Sequence, residues 1–276
     1  MKRLFLMAAY DKRNEVSPAL LHYLRSLSAC GDVIFVADNE LDDKELSRLN
    51  DCTIARLAES HHEYDFGSYK RGWALAAEQG ILPQYDRLYL VNDSVYGPLY
   101  ELESYLEQME VPGSEATAFV YNPHHRNPHL ESWFMGFGKT VFLAPWFADF
   151  LRGVEALPDK REVCIRYENG LSERLLAQGF PLLGLFTAHG RAVYNQPYAL
   201  VRKGLPFFKR DAIVRHDGAC RNDIRKILAA TSPALRKILE EDILRLYGAS
   251  VLQDIRSARP LKMAWRAFLY NLKKWL

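Results

Sequence analysis

Two polar clusters in the first hundred residues have the makings of a ligand site. One is Tyr64-Asp65-Phe66-Gly67-Ser68-Tyr69-Lys70, an acid, a small-residue turn and a base where a helix should begin. The other is Asn92-Asp93-Ser94, which closes the apolar run Asp86-Arg87-Leu88-Tyr89-Leu90-Val91 and precedes the turn signal Gly97-Pro98. An apolar run bounded by polar punctuation reads as a buried strand of a parallel sheet. Ligands of open α/β sheets bind beyond the carboxyl ends of the strands, so a polar triplet there is a site candidate. Asp65 and Ser68 could instead cap the helix. Capping explains one acid and one hydroxyl but not the second cluster, and a shared site is the better reading.

The surrounding elements follow from apolar patterning. Residues 3–9 read as a first buried strand. Ser17-Pro18 opens a helix with Leu20, Leu21, Leu24 and Leu27 at helical spacing. A second strand at 32–38 ends on Asp38, a short charged helix covers 42–49, a third strand 53–57, a helix 68–79 and a strand 86–91. This alternation predicts a mostly parallel sheet with helices on both faces. Further on, 101–110 reads as helix, 116–121 as strand, 130–138 as one aromatic extended segment and 142–154 as one aromatic helix. Another helix opens at Arg166-Tyr167-Glu168-Asn169-Gly170-Leu171-Ser172. No GxGxxG follows the first strand and no GxxxxGK[ST] occurs, which disfavours dinucleotide dehydrogenases and P-loop kinases.

Composition narrows the class. With 49% apolar and 25% charged residues the chain folds rather than staying disordered. A net charge of +2 gives no ground for nucleic-acid binding, and no aromatic–basic recognition motif adds one. Cys30, Cys52, Cys164 and Cys220 are far apart, matching neither a zinc site nor a disulfide framework. The apolar start meets Asp11-Lys12-Arg13-Asn14-Glu15 too early for a signal peptide, and no run reaches the about 18 apolar residues of a spanning helix. These features predict a cytoplasmic protein.

Five motifs in order carry a family resemblance: Tyr64-Asp65-Phe66-Gly67-Ser68-Tyr69-Lys70, Asn92-Asp93-Ser94-Val95-Tyr96-Gly97-Pro98-Leu99, His129-Leu130-Glu131-Ser132-Trp133-Phe134, Tyr167-Glu168-Asn169-Gly170-Leu171-Ser172 and Lys203-Gly204-Leu205-Pro206-Phe207-Phe208-Lys209-Arg210. Together they resemble the rhamnan synthesis protein F family of bacterial polysaccharide assembly over about three quarters of the chain. The layout is more distantly similar to A-type glycosyltransferases. The resemblance implies an α/β, Rossmann-like A-type domain with a mostly parallel central sheet over 1–220, its nucleotide-sugar half at 1–110 and its acceptor and catalytic half at 111–220. A helical extension follows at 221–276. The family's usual Asn-x-Gly ahead of Tyr-Asp-Phe-Gly is replaced here by His61-His62-Glu63. The strand-end triplet carries one carboxylate where metal-dependent relatives carry two.

What the resemblance implies for chemistry is an inverting sugar transfer, which needs one base and no protein nucleophile. Glu168 is the implied base. Asp93 orients the sugar nucleotide or holds a divalent ion, Mg2+ or Mn2+. Asp65, Ser68, Lys70, Asn92 and Ser94 are implied donor contacts, and Lys203, Lys209 and Arg210 a clamp for the diphosphate. His129, Glu131 and Trp133 are implied acceptor contacts. The bland alternatives are a solvated first-turn acid for Glu168, an Asx turn for Asp93 and a basic surface for the lysines. His124, His125 and His129 match no zinc spacing.

Beyond Asp254 the chain has six bases and no acid, and from Pro260 onward Leu261, Trp265, Phe268, Leu272 and Trp275 fall on one helical face. A basic amphipathic helix at 260–276 suits an anionic membrane surface or packs on the domain. The expected protein is thus a peripheral membrane glycosyltransferase. It would move rhamnose from dTDP-L-rhamnose to a lipid-linked oligosaccharide on the inner face of the cytoplasmic membrane. The alternative is a non-catalytic module that binds carbohydrate or organises a complex at the membrane.

Overall fold

The computed structural model describes residues 1–259 and Trp265. The chain divides into two compact units. The first comprises Met1–Val16, Leu24–Asp93 and Glu101–Gly190; the second comprises Ser17–Tyr23, Ser94–Tyr100 and the residues from Arg191 onward. The boundary expected at 220 therefore falls inside the second unit.

In chain order the strands are β1 (Arg3–Ala9), β2 (Asp32–Ala37), β3 (Ala55–Ala58), β4 (Arg87–Asn92), β5 (Val95–Tyr96), β6 (Ala116–Asn122), β7 (His129–Leu130), β8 (Phe134–Gly138), β9 (Leu183–Thr187) and β10 (Phe208–Lys209). Eight of them form the sheet of the first unit in the order β3-β2-β1-β4-β8-β6-β7, with β9 also paired to β6. The pairs β1–β2, β1–β4, β2–β3 and β6–β9 are parallel. The pairs β4–β8, β6–β8 and β6–β7 are antiparallel. Crossing β8 reverses direction twice, so β6 and β9 point the same way as β1 to β4, and only β7 and β8 run against them. This is the mostly parallel α/β sheet the sequence predicts.

Every residue of β1 and β4 is buried, because both faces of a doubly covered sheet are dry. The helix Tyr64–Glu78 lies across β1 and β2 and buries Phe66, Tyr69, Trp73 and Ala76, which recur at helical spacing. Each large side chain so buried contributes about 1.5–3 kcal/mol. Aromatic pairs tie the central strands together: Phe5 stacks on Tyr89 at 4.9 Å and Phe119 meets Phe134 edge-on at 4.5 Å. Gly136 lets β8 close on β4, since a Cβ there would lie 2.5 Å from the Tyr89 ring.

Three expectations are corrected. The helix expected from 68 starts at Tyr64, so Ser68 lies inside it, and neither Ser68 nor Asp65 is its cap. The helix expected over 142–154 is two, Lys139–Phe142 and Pro145–Arg152, because a proline cannot donate within a helix and sits instead at the start of one. The extended segment expected at 130–138 is interrupted at 131–133, leaving β7 and β8 on either side. β9 was not anticipated; its residues are only partly buried, which blunts the apolar signal.

In the second unit β5 and β10 form an antiparallel ribbon. Helices Arg221–Ala230, Pro233–Tyr247 and Ala249–Ser257 gather Ile224, Ile227, Leu239, Ile243 and Ile255 into its core. The amphipathic helix expected at 260–276 lies outside the described residues, Trp265 excepted. Among the described residues no helix is long and apolar enough to cross a membrane.

Candidate functional site

The two polar clusters do meet, at the carboxyl end of β4. The buried Asn92 side chain donates from Nδ2 to Asp65 Oδ2 at 2.9 Å, and Asp65 occupies the first turn of the helix Tyr64–Glu78. Asp93 follows; its own N–H donates to Ala8 O at 3.1 Å, and its Oδ2 receives the Tyr10 N–H at 3.4 Å. Because β8 runs against β4, with Phe134 opposite Val91, the residues just before β8 arrive at this same end. The Asn92 N–H donates to Trp133 O at 3.1 Å, and the Tyr69 hydroxyl, from the helix, donates to Ser132 O at 3.0 Å.

Ser132 then holds Glu168. Its N–H donates to Glu168 Oε2 at 2.9 Å and its hydroxyl donates to the same oxygen. The other carboxylate oxygen, Oε1, lies 3.9 Å from His129 Nε2. His129 Nδ1 faces Asn127 O at 2.8 Å; a carbonyl only accepts, so Nδ1 carries a proton. Glu168 sits in the wide helical turn Cys164–Asn169, just ahead of the helix Gly170–Ala177. Such widened turns are frequent at functional sites. One hydrogen-bonded run thus links Asp65, Asn92, the 132–133 segment and Glu168, and His129 stands 3.9 Å from Glu168 beside it.

A second arrangement lies at the end of β2, where the sequence shows only an acid closing the strand and His61-His62-Glu63 in place of the family's usual Asn-x-Gly. Asp38 Oδ1 receives the N–H groups of His61 and His62, both at 2.8 Å. The His61 side chain is fully enclosed, and burial pushes its pKa below the usual histidine value, with Arg71 adding to that and Asp38 opposing it. Ser132 was missed as a partner of Glu168; its only sequence signal is its place beside Glu131 and Trp133.

Other expected contacts are placed elsewhere. Trp133 is a core residue stacked on Phe119 at 5.8 Å, and Glu131 is buried beside Asn122, whose Nδ2 is 3.5 Å from Glu131 Oε1. Lys70 Nζ donates to Val154 O at 2.6 Å and lies 3.4 Å from Glu63 Oε1. Ser68 is buried against His61. Ser68, Glu131 and Trp133 are thus enclosed by the fold, whereas Lys70 stays partly exposed.

The second unit holds Ser94, Lys203, Lys209 and Arg210. Lys209 Nζ donates to Ser94 Oγ at 3.1 Å and lies over the Tyr194 ring. Arg210 lies over Tyr96, with its NH2 3.9 Å from the buried Asp242. Lys203 is exposed at the end of the helix Pro197–Arg202.

Mg2+ and Mn2+ want several hard oxygen ligands. Among the described residues no three His, Cys, Asp or Glu side chains converge to make such a set, and Asp93 is a single carboxylate at its strand end. The side chains present therefore do not form a metal cage of their own, and the chemistry below uses none.

The family model for rhamnan synthesis protein F matches residues 33–239. An uncharacterised protein of Sinorhizobium fredii is 24% identical over 184 residues, 66% of this chain and 48% of that protein, so the chain spans about half the length of this curated relative. Among solved structures, a candidate nucleotide-diphospho-sugar transferase of Desulfovibrio desulfuricans aligns over 92% of this chain and 99% of its own, with TM-score 0.44 and 14% identity. The glycosyltransferase GlyE of Streptococcus pneumoniae aligns over 92% of this chain and 63% of its own, with TM-score 0.42 and 10% identity.

Proposed function

The chain belongs to the rhamnan synthesis protein F family, and from that premise we propose that it is a glycosyltransferase that moves a sugar from a nucleotide donor to a glycan. The observation that carries the reading is the hydrogen-bonded run from Asp65 through Asn92 and Ser132 to Glu168. It brings a donor-holding acid–amide pair and a second, oriented carboxylate to one end of one sheet, where α/β proteins bind ligands.

Glu168 is the base. Ser132 occupies Oε2 with two hydrogen bonds, which leaves Oε1, on the His129 side, to take the proton of an acceptor hydroxyl. The acceptor oxygen forms its bond to the anomeric carbon, the bond from that carbon to the diphosphate breaks, and the electron pair leaves with the nucleotide. Asp65 and Asp93 hold the donor, and the buried Asn92 orients Asp65 through its side-chain amide. His129 is the acceptor contact retained, since Glu131 and Trp133 are closed off by burial. Lys203, Lys209 and Arg210 of the second unit offer cationic charge suited to a diphosphate. The donor we assign is dTDP-L-rhamnose and the acceptor a lipid-linked oligosaccharide, with residues 260–276 binding the anionic inner face of the cytoplasmic membrane.

The test is transfer of radiolabelled rhamnose from dTDP-L-rhamnose by wild type, Asp93→Ala and Glu168→Gln. Both variants should keep the wild-type circular dichroism and lose transfer; near-normal turnover in both would sink the assignment. A thermal-shift panel of sugar nucleotides, with and without Mg2+ or Mn2+, reads donor class and metal dependence together, because a ligand that binds only the folded state raises Tm.

A further inference from the structure

We propose that His61 is a positioning residue for the donor half of the site: it fixes the first turn of the helix that carries Asp65, and so holds Asp65 against Asn92. This rests on reading the Asp65–Asn92 pair as donor-binding.

His61 sits in the loop between β3 and the helix Tyr64–Glu78, with its side chain fully enclosed. Every polar atom of the residue other than its carbonyl is engaged. Its N–H donates to Asp38 Oδ1 at 2.8 Å, its Nδ1 receives the Glu63 N–H at 3.1 Å, and its Nε2 lies 3.0 Å from Ser68 Oγ. Because Nδ1 accepts, the ring proton is on Nε2 and is donated to Ser68. One ring therefore spans from the residue before the helix to the residue at its second turn, and Asp65 lies between those two anchors.

Asp38 Oδ1 is 3.5 Å from His61 Nδ1, so acid, imidazole and hydroxyl are in line as in a hydrolase triad. The tautomer is wrong for that role, because Nδ1 has no proton to give the acid. Ser68 is also only 2% exposed. The arrangement orients backbone instead of activating a nucleophile.

The backbone shows what is being held. His62 and Tyr64 adopt left-handed φ values of 59° and 56°, which side-chain-bearing residues keep only where their surroundings dictate it. Asp38 grips the amides of His61 and His62, and the ring grips that of Glu63. At Gly67 a Cβ would come within 2.3 Å of Glu63 Cβ and 2.8 Å of the His61 ring, so the helix is hollowed where the ring enters. The charged groups that face His61 are Asp38 on the β2 side, Glu59 and Glu63 in the loop, and Arg71 on the helix. Arg71 pairs with both glutamates, and Lys70 lies 3.4 Å from Glu63.

The experiment uses the full chain and the variants Ser68→Ala and His61→Gln. The first readout is the NMR signal of the Asn92 side-chain amide. The second is the KM for dTDP-L-rhamnose set against kcat. In Ser68→Ala the Asn92 signals should shift or broaden, and KM should rise roughly three- to tenfold, the worth of one hydrogen bond, with kcat within about twofold of wild type. His61→Gln, whose amide can still reach Ser68, should recover part of both. A fall in Tm with unchanged Asn92 signals and unchanged KM would reduce His61 to a packing role and overturn the proposal. Should wild type show no affinity for dTDP-L-rhamnose, the donor reading falls by itself, and undisturbed Asn92 signals would then also overturn the positioning role.

Discussion

The two ends of the first unit's sheet treat charge in opposite ways. At the amino ends of β1 and β4, Arg3 donates to both carboxylate oxygens of Glu110 and both of Glu103, at 2.6–2.9 Å, and Tyr89 donates its hydroxyl to Glu110 at 2.8 Å. Arg87 donates to Ser114 O at 2.6 Å. Charge there is matched by charge in forked geometry, which suits arginine and freezes structure. At the carboxyl ends, Asp38 is held by backbone amides and Glu168 by an amide and a hydroxyl. Neutral donors fix where a carboxylate points without cancelling its charge. The first end is built to stay as it is; the second keeps acid available.

The contrast can be broken from either side. Glu168→Gln keeps the shape and removes the proposed base, so transfer should fall about a hundred- to ten-thousandfold while Tm barely moves, as read by a rhamnose-transfer assay beside a melting curve. Arg3→Met is the mirror case. It strands Glu110 in the interior and should cost about 3–5 kcal/mol by chemical denaturation, while the little-changed site keeps its donor KM in the folded fraction. A loss of transfer in the folded fraction of Arg3→Met matching that of Glu168→Gln would erase the division between the two ends.

Smaller effects sharpen it. Gly67→Ala should destabilise by about 1–3 kcal/mol through the clash with Glu63 and the His61 ring. Unlike Arg3→Met, it should also raise donor KM. Acid should then separate the ends in sequence. The folded state depresses the His61 pKa, chiefly by burial, so the unfolded chain binds that proton first and stability falls as pH drops below the ordinary histidine value of 6.5. Glu103 is depressed by its bond to Arg3, so its contribution is present above the ordinary value of 4.5 and is lost as pH falls below it. Denaturant melts across pH should show the first loss vanish in His61→Gln and the second in Glu103→Gln. A single loss shared by both variants would contradict the separation.

How much of this was legible in the sequence depended on whether a signal was local. β1 was bounded correctly because six apolar residues run unbroken after Arg3, and the meeting of Asp65 with Asn92 followed from reading a polar helix start and a polar strand end as one site. The reversal of β8 was not legible, since aromatic extended residues look alike in either direction, yet that reversal is what delivers Ser132 to Glu168. Ser68 read as a donor contact, with helix capping as the alternative, because a small hydroxyl suits either role; only the His61 ring shows where it is held. Lys70 read as a donor contact for its charge, whereas its reach to Val154 joins residues 84 positions apart. Glu168 was found through resemblance to a family, and its geometry came from the fold.

The second unit is assembled from three stretches of chain, two of them short: Ser17–Tyr23 and Ser94–Tyr100. During synthesis the ribosome has delivered everything the first unit needs by Gly190, whereas Ala19 and Tyr96 must wait for Val201, Phe208 and the residues after them before their core exists. No single cut in the gene separates the two units, and a stop codon after Gly190 would leave these two short stretches without the apolar cover they were made for. Domain-swap engineering on this chain therefore needs five junctions, placed at both flanks of each of the two short inserts and after Gly190.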